Sequence, residues 1–336
     1  MRILVTGGAG FVGSNFVRRV VAGCYPEFGG AEVVVLDKLT YAGTMESIDS
    51  VLGDPRVRFV QGDVCDADLL DDILRGVSLV IHCAAESHVD RSITSGYDFI
   101  TTNVKGTFTL LDRAMRAGVE KFVHVSTDEV YGDIRSGSWD EQEALEPNSP
   151  YAASKGASDL IVRAFHQTYG FPTCITRCSN NYGPYQFPEK LIPLFITNLL
   201  DGRPVPLYGD GGNVREWIHV DDHCDAIALV ALRGRPGRRY NIGSSEELTN
   251  EQVTAMLLEA IGGDWSLVRY VADRKGHDRR YSVDFSRIRE ELGYRPTVDF
   301  RTGLAETIRW YTDNRAWWEP LKHRLPLAEG DAAWAP

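Results

Sequence analysis

A glycine-rich segment that joins an apolar run to a helical pattern constrains this chain more than any other feature. Residues 5–17 read VTGGAGFVGSNFV, and Gly8, Gly10 and Gly13 satisfy G-x-G-x-x-G. Counted from Gly7, the same segment also fits T-G-x-x-G-x-x-G. Glycines at these places allow a tight turn, let the backbone approach a diphosphate, and pack the helix against the strand. The first N–H groups of that helix would face the anion. The segment therefore predicts a dinucleotide site.

Short β-branched runs alternate with helix-period segments through the first half of the chain. Strands that are buried on both faces give such continuous apolar runs, and strand–helix alternation is typical of a parallel sheet. We therefore predict an α/β fold with a Rossmann-type, doubly wound parallel sheet. The predicted strands are 2–7, 32–37, 57–60, 78–85, 121–126 and 173–178, and the predicted helices are 11–22, 66–75, 98–117 and 151–169.

The composition changes after about residue 180, where proline, glycine and irregular segments become dense. A strand-like run at 238–244 then leads into a helix, which Thr249 and Gln252 open with a capping-box pattern. We predict a smaller mixed α/β lobe that binds substrate, with some later segments returning to the main sheet. The expected division is 1–180 for the NAD-binding domain, 181–322 mainly for the substrate lobe, and 323–336 for a flexible tail.

Charge and cysteine usage restrict the partners and the compartment. The net charge of -11 argues against a general nucleic-acid or membrane-surface binder, so an anionic ligand needs a local basic pocket. The six cysteines contain no C-x-x-C pair, which favours buried free thiols over a disulfide framework. The chain starts directly with a strand pattern, and no run of about 18 apolar residues occurs. We expect a cytoplasmic protein.

Two aspartates follow predicted strands on the cofactor side. Asp37 ends the second strand, 24 residues after Gly13. A carboxylate there would accept hydrogen bonds from an adenosine ribose and repel a 2′-phosphate, which favours NAD over NADP, although Lys38 follows directly. Asp63 closes the third strand and is placed to meet the adenine. Both aspartates also fit the ordinary role of capping the next helix.

Tyr151 and Lys155 lie four residues apart in PYAASK, so the phenol and the ammonium share one helix face. The ammonium and the positive nicotinamide ring would lower the pKa of the phenol and make it usable as a base. Such a pair alone also occurs by chance, with a packed tyrosine and an exposed lysine. Ser126 and Thr127 end the fifth strand, at the edge where open α/β sheets bind ligands.

The glycine loop, the Ser/Thr strand end and the Tyr-x-x-x-Lys helix together resemble the extended short-chain dehydrogenases/reductases, from Met1 to about Lys322. The resemblance implies that a bound NAD is contacted along the whole carboxyl edge of the sheet. The residues so implied are Gly7, Gly10, Phe11, Val12, Gly13, Asp37, Lys38, Leu39, Thr40, Asp63, Val64, Ala84, Ala85, Thr102, Tyr151, Lys155 and Asn181.

Two adjacent acids, Asp128 and Glu129, follow the fifth strand, where most of that family has a small or neutral residue. Their segment, STDEVYG, resembles the nucleotide-sugar 4,6-dehydratases, and most closely those that act on dTDP-glucose. The other segments that carry the resemblance are AAESHVDRS (84–92), NNYGPYQFPEKLIP (180–193), PLYGDGGNVREW (206–217) and DRKGHDRRY (273–281).

The resemblance implies NAD-dependent dehydration of dTDP-glucose to dTDP-4-keto-6-deoxyglucose. NAD would take hydride from C4 and return it to C6, while Tyr151 takes the C4 hydroxyl proton. Glu129 would remove the C5 proton and Asp128 would protonate the departing C6 hydroxyl, with Thr127 and Lys155 completing the catalytic set. Two close carboxylates resist joint ionisation, so one of them keeps a proton, but the residues alone do not say which.

The same resemblance assigns the substrate contacts. Ser87, Thr127 and Asn180 fall on the sugar side. Arginine forks and lysine charges on the diphosphate side would supply the basic pocket, and Tyr208 could stack on a base. Besides Tyr208, the residues expected on the nucleotide side or in the substrate set are Glu189, Lys190, Leu191, Pro206, Arg215, Asn250, Arg274 and His277.

Other functions remain open at this point. A UDP-sugar 4-epimerase shares the fold, NAD and the Tyr–Lys pair, but it has no need for two acids. A non-catalytic NAD or nucleotide-sugar sensor typically loses the Tyr or the Lys. His219 and His223 have i, i+4 spacing, which we interpret as helix capping and core packing, and the proposed chemistry needs no metal. We expect a homodimer through segments 98–117 and 151–169.

Overall fold

The computed structural model describes residues 1–322 and Arg324, so the rest of the predicted tail lies outside the described residues. The strands of the described part agree with the six predicted for the first half and with the later run near 240. They are β1 (Arg2–Thr6), β2 (Glu32–Asp37), β3 (Val57–Gln61), β4 (Leu79–His82), β5 (Lys121–Thr127), β6 (Thr173–Cys178), β7 (Asn180–Tyr182), β8 (Val205–Tyr208), β9 (Val214–His219), β10 (Arg239–Ile242), β11 (Glu247–Thr249) and β12 (Val268–Val271).

Seven of these strands form one parallel sheet, in the order β10-β6-β5-β4-β1-β2-β3. Chain order runs outwards in both directions from the boundary between β1 and β4. Open α/β sheets bind their ligands at this switch point, outside the carboxyl ends of the strands. The doubly wound fold predicted from the sequence is confirmed, and residues 239–242 form an edge strand of this sheet.

Helices cover both faces of the main sheet because its strands carry apolar side chains on both sides. One face packs on α1 and α9, and the other packs on α3, α6 and α7. The helices of the described part are α1 (Phe11–Val21), α2 (Asp49–Leu52), α3 (Ala67–Ile73), α4 (Val89–Thr94), α5 (Tyr97–Phe99), α6 (Thr107–Arg116), α7 (Pro150–Tyr169), α8 (Leu191–Leu200), α9 (Val220–Arg233), α10 (Asn250–Ile261), α11 (Ser286–Leu292), α12 (Phe300–Asp313) and α13 (Arg315–Lys322).

A second apolar core lies under the loop-rich half of the chain, between α8, α10, α12 and two small sheets. The strand order is β11-β9-β7 in one small sheet and β12-β8 in the other. Thr249 and Gln252 form the predicted capping box at the start of α10. The predicted helix over 98–117 is also present, although a π-helical stretch over Ile100–Gly106 joins α5 to α6. No helix in the described part is long and apolar enough to cross a membrane.

Candidate active site

The glycine loop forms a cradle that a side chain would fill. Gly7 has φ of +65°, and a Cβ added there would lie 2.6 Å from the backbone nitrogen of Ala84. A Cβ on Gly13 would lie 2.2 Å from the Gly7 carbonyl oxygen. The loop ends at Gly10, directly before α1, so the free N–H groups of the first helical turn face the cradle. These features fit the diphosphate of a dinucleotide such as NAD.

Asp37 organises the cofactor edge through its carboxylate. It accepts hydrogen bonds from the backbone N–H of Ala9 at 2.9 Å and of Leu39 at 2.8 Å, which ties the glycine loop to the end of β2. Burial raises the pKa of Asp37 above its ordinary value. Lys38 turns away to Asp63, with 2.8 Å between Nζ and Oδ2. Lys38, which weakened the expectation of NAD, is therefore paired with Asp63.

The two adjacent acids lie at the carboxyl end of β5, where the chain turns into a 3-10 helix over Asp128–Tyr131. Thr127 holds the turn, because its hydroxyl accepts from the Glu129 N–H at 3.3 Å and donates to Asp128 Oδ1 at 3.2 Å. Asp128 Oδ2 is buried and has no hydrogen-bond partner among the described residues. One carboxyl oxygen is thus left for a group that enters the cleft.

The charges that surround the two buried acids differ. Burial raises the pKa of Asp128 well above the usual range, and the neighbouring Glu129 carboxylate raises it further. Burial also raises the pKa of Glu129, but three cations oppose that rise. These cations are Lys190, Arg274 and Arg215. The proton shared by such a pair therefore belongs on Asp128, with Glu129 as the carboxylate.

Tyr151 and Lys155 lie in the first turns of α7, which Ser149 caps by accepting from the Ala152 N–H at 3.1 Å. Lys155 donates to the Val125 carbonyl oxygen at 2.7 Å, which directs its Nζ towards the end of β5. The expectation that Lys155 lowers the pKa of Tyr151 is wrong for the protein alone. Burial and then Glu129 raise the pKa of this phenol, so any lowering depends on the bound cofactor's positive ring.

A buried ionic cluster lies behind this pair. Asp159, one helical turn after Lys155, accepts from Arg177 Nε at 2.8 Å, and both side chains are at most 2% exposed. His124 Nε2 is 3.4 Å from the same carboxylate. Burial lowers the pKa of Lys155, and the Asp159 carboxylate is the strongest opposing influence. Asp159 therefore helps to keep Lys155 charged.

Positive charge converges on the substrate side of the cleft. Arg215 is 6% exposed, donates to the Asp278 carbonyl oxygen at 2.9 Å, and lies 4.3 Å from the ring centre of Tyr281. Arg274 lies 5.4 Å from the ring centre of Tyr208. Guanidinium groups on aromatic rings keep their N–H forks directed at an anion. This is the local basic pocket that the acidic chain was expected to need.

Glu189 links the cofactor half to the substrate half. Tyr41 donates to Glu189 Oε1 at 3.1 Å, while the next residue, Lys190, donates to the Ser87 carbonyl oxygen at 2.7 Å. The side chain of Glu189 is only 4% exposed, and burial raises its pKa to about 7. The segment at 189–190 is therefore fixed against both the 38–44 loop and the 84–92 loop.

All but one of the predicted site residues line a single cleft of about 1600 Å³. The exception is Leu39, which does not line the cleft but donates its backbone N–H to the Asp37 carboxylate. Seven of the lining residues that were not predicted lie within segments that carried the resemblance. They are Glu86, His88, Asp90, Arg91, Gln186, Phe187 and Tyr281.

The paired histidines have the roles inferred from the sequence. His219 caps α9 by accepting from the Asp221 N–H at 3.2 Å. His223 is fully buried, with Nδ1 2.8 Å from Asn181 Oδ1. Among the described residues, no group of three or more His, Cys, Asp or Glu side chains could hold a metal ion.

Comparison with known proteins agrees with this geometry. The family model described as GDP-mannose 4,6 dehydratase matches residues 4–307. A dTDP-glucose 4,6-dehydratase of Streptomyces antibioticus is 58% identical over 325 residues, which is 96% of each chain. This chain belongs to the sugar-nucleotide 4,6-dehydratase family.

Solved structures place the chain among these dehydratases and their fold relatives. A crystal structure of dTDP-glucose 4,6-dehydratase from Streptomyces venezuelae, with NAD and TYD bound, is 64% identical, with a TM-score of 0.95. It covers 96% of this chain and 100% of its own. A UDP-glucose 4-epimerase of Thermus thermophilus in complex with NAD is 32% identical, with a TM-score of 0.85 over 94% and 100% of the two chains. The fold alone therefore does not separate 4,6-dehydratases from epimerases.

Proposed function

We propose that this protein is an NAD-dependent dTDP-glucose 4,6-dehydratase, which forms dTDP-4-keto-6-deoxyglucose and water. The observation that carries the proposal is the buried acid pair at the end of β5, in which Thr127 fixes one oxygen of Asp128 and the other has no partner among the described residues. Elimination of water across C5 and C6 needs both an acid and a base. High identity to relatives that bear this name supports the substrate and the cofactor.

A bound NAD, which the glycine loop and Asp37 would hold, would supply reversible hydride transfer between C4 and C6 of the sugar. The side chains of the chain move the protons. Tyr151 takes the proton of the C4 hydroxyl, with Lys155 one turn further along the same face of α7. Glu129 removes the C5 proton, which the new C4 ketone acidifies. Asp128 then gives its proton to the C6 hydroxyl, which leaves as water, and Thr127 keeps Asp128 in place through its 3.2 Å hydrogen bond. When hydride returns to C6, C5 takes up a proton that has exchanged with solvent, which completes the product.

The two halves of the chain divide the ligands. We propose that residues 1–180, together with β10, hold the cofactor, with Asp37 on the adenosine ribose and the glycine loop on the diphosphate. Residues 181–322 mainly hold the nucleotide sugar. Arg215 and Arg274 are suited to the diphosphate of the substrate, because both line the cleft and each carries its positive charge beside an aromatic ring.

The two alternatives are less well supported. An epimerase never eliminates water, so a neutral acid buried beside a carboxylate would have no task. A sensor without catalysis would not need a Tyr–Lys pair, whereas Tyr151 and Lys155 are both buried in the cleft and Lys155 is held by a 2.7 Å hydrogen bond. Both observations favour the dehydratase.

We propose that the protein acts as a homodimer in the cytoplasm. Large apolar side chains are exposed on α5, α6, α7 and the π-helical stretch, within or directly beside the segments expected to dimerise. They are Tyr97 (79% exposed), Ile100 (53%), Phe108 (51%) and Leu160 (57%). Exposed apolar side chains grouped on neighbouring helices suit a second copy of the chain. All six cysteines are free thiols, which fits a reducing compartment.

The decisive test is incubation of the purified protein with dTDP-glucose in deuterated water, followed by mass spectrometry of the nucleotide sugar. We expect loss of one water, one solvent deuterium at C5, and no net accumulation of reduced cofactor. An unchanged mass with formation of the galactose isomer would instead establish an epimerase. Recovery of unaltered dTDP-glucose would contradict the proposed substrate.

Two variants separate the acid from the base. Glu129→Gln should lower the rates of deuterium exchange at C5 and of water loss by roughly a hundredfold or more. Asp128→Asn should slow loss of water to a similar degree, yet leave the base able to exchange the C5 proton. Glu143→Gln, an exposed acid outside the cleft, is the matched control and should retain full activity. If deuterium exchange at C5 survives in Glu129→Gln but is lost in Asp128→Asn, then Asp128 is the base and Glu129 is the acid.

A further inference from the structure

A second cleft lies at the opposite edge of the main sheet from the active site. Its volume is about 210 Å³, and it shares no lining residue with the main cleft. Thr173 begins β6 and Arg239 begins β10, so the cleft opens at the amino edge of the strands. Its walls carry three arginines and one amide. The lining residues are Arg163, Gln167, Thr173, Ile175, Gly237, Arg238 and Arg239.

The charge of this cleft is not balanced locally. Arg163 and Arg239 form no ion pair with any described residue, and Arg238 has only a 3.5 Å contact with Glu291. That glutamate is also shared with Arg235, at 3.9 Å. Such a concentration of cations is unexpected in a chain whose net charge is -11.

The acidic side chains Asp159 and Glu141 form ion pairs with arginines that do not line this cleft. Asp159 pairs with Arg177 at 2.8 Å, and Glu141 lies 3.4 Å from Arg287. Arg239 is half-buried, and burial, then the charge of Arg177, lowers its pKa. Arg163, which lines the same cleft, also lowers the pKa of Arg239, so these two cations repel one another.

We propose that this second cleft binds a phosphate-type oxyanion, either inorganic phosphate or diphosphate. Guanidinium forks bind phosphate oxygens in pairs, and three of them around one cavity suit a multiply charged tetrahedral anion better than a single carboxylate. Gln167 adds an amide donor at the rim. The volume is large enough for one or two phosphate groups with their first waters. The site is independent of the catalytic reaction.

The test uses the full-length protein saturated with NAD and dTDP, so that the catalytic cleft is filled. Phosphate and diphosphate are titrated separately by calorimetry, at ionic strength held constant with chloride. We expect saturable binding of one anion per chain. Tighter binding of phosphate would mean that the cleft holds one phosphate group, and tighter binding of diphosphate would mean that it holds two. Absence of saturable binding of either anion would overturn the proposal.

Substitutions of single arginines test whether the anion binds at this second cleft. Arg239→Gln should weaken affinity about tenfold, the effect of losing one charge-assisted contact of about 1.4 kcal/mol. Arg163→Gln, on an exposed position of α7, should weaken it at least threefold and gives a second reading if Arg239→Gln folds poorly. The control is Arg233→Gln, because Arg233 pairs with Glu27 at 3.2 Å outside the cleft. Equal losses in Arg233→Gln and Arg239→Gln would refute a specific site.

Discussion

Replacing Asp159 by asparagine should destabilise the protein far more than loss of an exposed ion pair. Asp159 and Arg177 are buried together, and Arg177 also donates to the Tyr131 hydroxyl at 2.8 Å. Asparagine keeps the shape of the side chain but removes the charge. Arg177 and Lys155 would then be buried cations without their nearest carboxylate, a situation that typically costs about 3–5 kcal/mol.

The pKa of Asp159 gives a second measure of the same interaction. Burial alone would raise this pKa, but Arg177 and His124 outweigh burial and hold it at about 2, below the ordinary value of 3.8. The difference corresponds to about 2 to 3 kcal/mol in favour of the charged folded state. Because the folded pKa is the lower one, this stability is present above about pH 4 and is lost as the pH falls through 2.

Thermal unfolding of the apo-protein measures this effect. For a chain of 336 residues the expected loss corresponds to a Tm about 4 to 7 °C lower for Asp159→Asn at pH 7. The difference from wild type should stay constant between pH 8 and pH 5 and narrow below pH 4. Glu32→Gln breaks the exposed pair with Arg2 and should cost under about 1 kcal/mol. Equal effects of the two substitutions, or a difference that does not change at low pH, would refute the reasoning.

Three further predictions concern the cofactor, the surface and the pH dependence. Asp37→Ala removes the acceptor of the Ala9 N–H, so NAD should bind about tenfold more weakly or worse. Calorimetry on protein freed of its cofactor measures this affinity, and a change below threefold would contradict the prediction. Phe108→Glu should convert a dimer into monomers in light scattering, whereas an unchanged mass would exclude the α6–α7 surface. Burial raises the pKa of Glu189 to about 7 in the folded protein, above its ordinary value of 4.5, so charging of Glu189 opposes folding as the pH rises from 4.5 through 7. Glu189→Gln should therefore gain up to ~3 kcal/mol over wild type at pH 8 and nothing at pH 4, and a gain independent of pH would be inconsistent with this pKa.

Much of the fold follows from short-range pattern. The six strands of the first half are predicted within three residues at each end, because a continuous apolar run of four to eight residues bounded by turns suits a buried strand. The exception in length is the predicted strand at 78–85, which the structure ends at His82. The chain leaves the sheet there to form the wall of the cleft, and its apolar residues continue past that point.

The site is a mixture of local and distant determinants. Tyr151 and Lys155 share a helix face by their spacing alone, and the glycine loop needs no distant partner to be recognised. The pKa of Tyr151 was wrongly anticipated because spacing describes neither burial nor the approach of Glu129. Leu39 was expected to line the cleft, but only its backbone contributes, through Asp37.

By itself, the sequence determined the parallel sheet, the dinucleotide loop, the acid pair and the family resemblance, since each depends on residues close together along the chain. Only the tertiary structure decided which acid carries the proton. Lys190, Arg215 and Arg274 come from three separate segments and meet near Glu129, while Asp128 is buried with an unpartnered oxygen. The second arginine cleft is also a tertiary feature, because α7 and β10 meet only in the folded chain. Charge interactions depend on distance and burial in space, which no spacing along the sequence specifies.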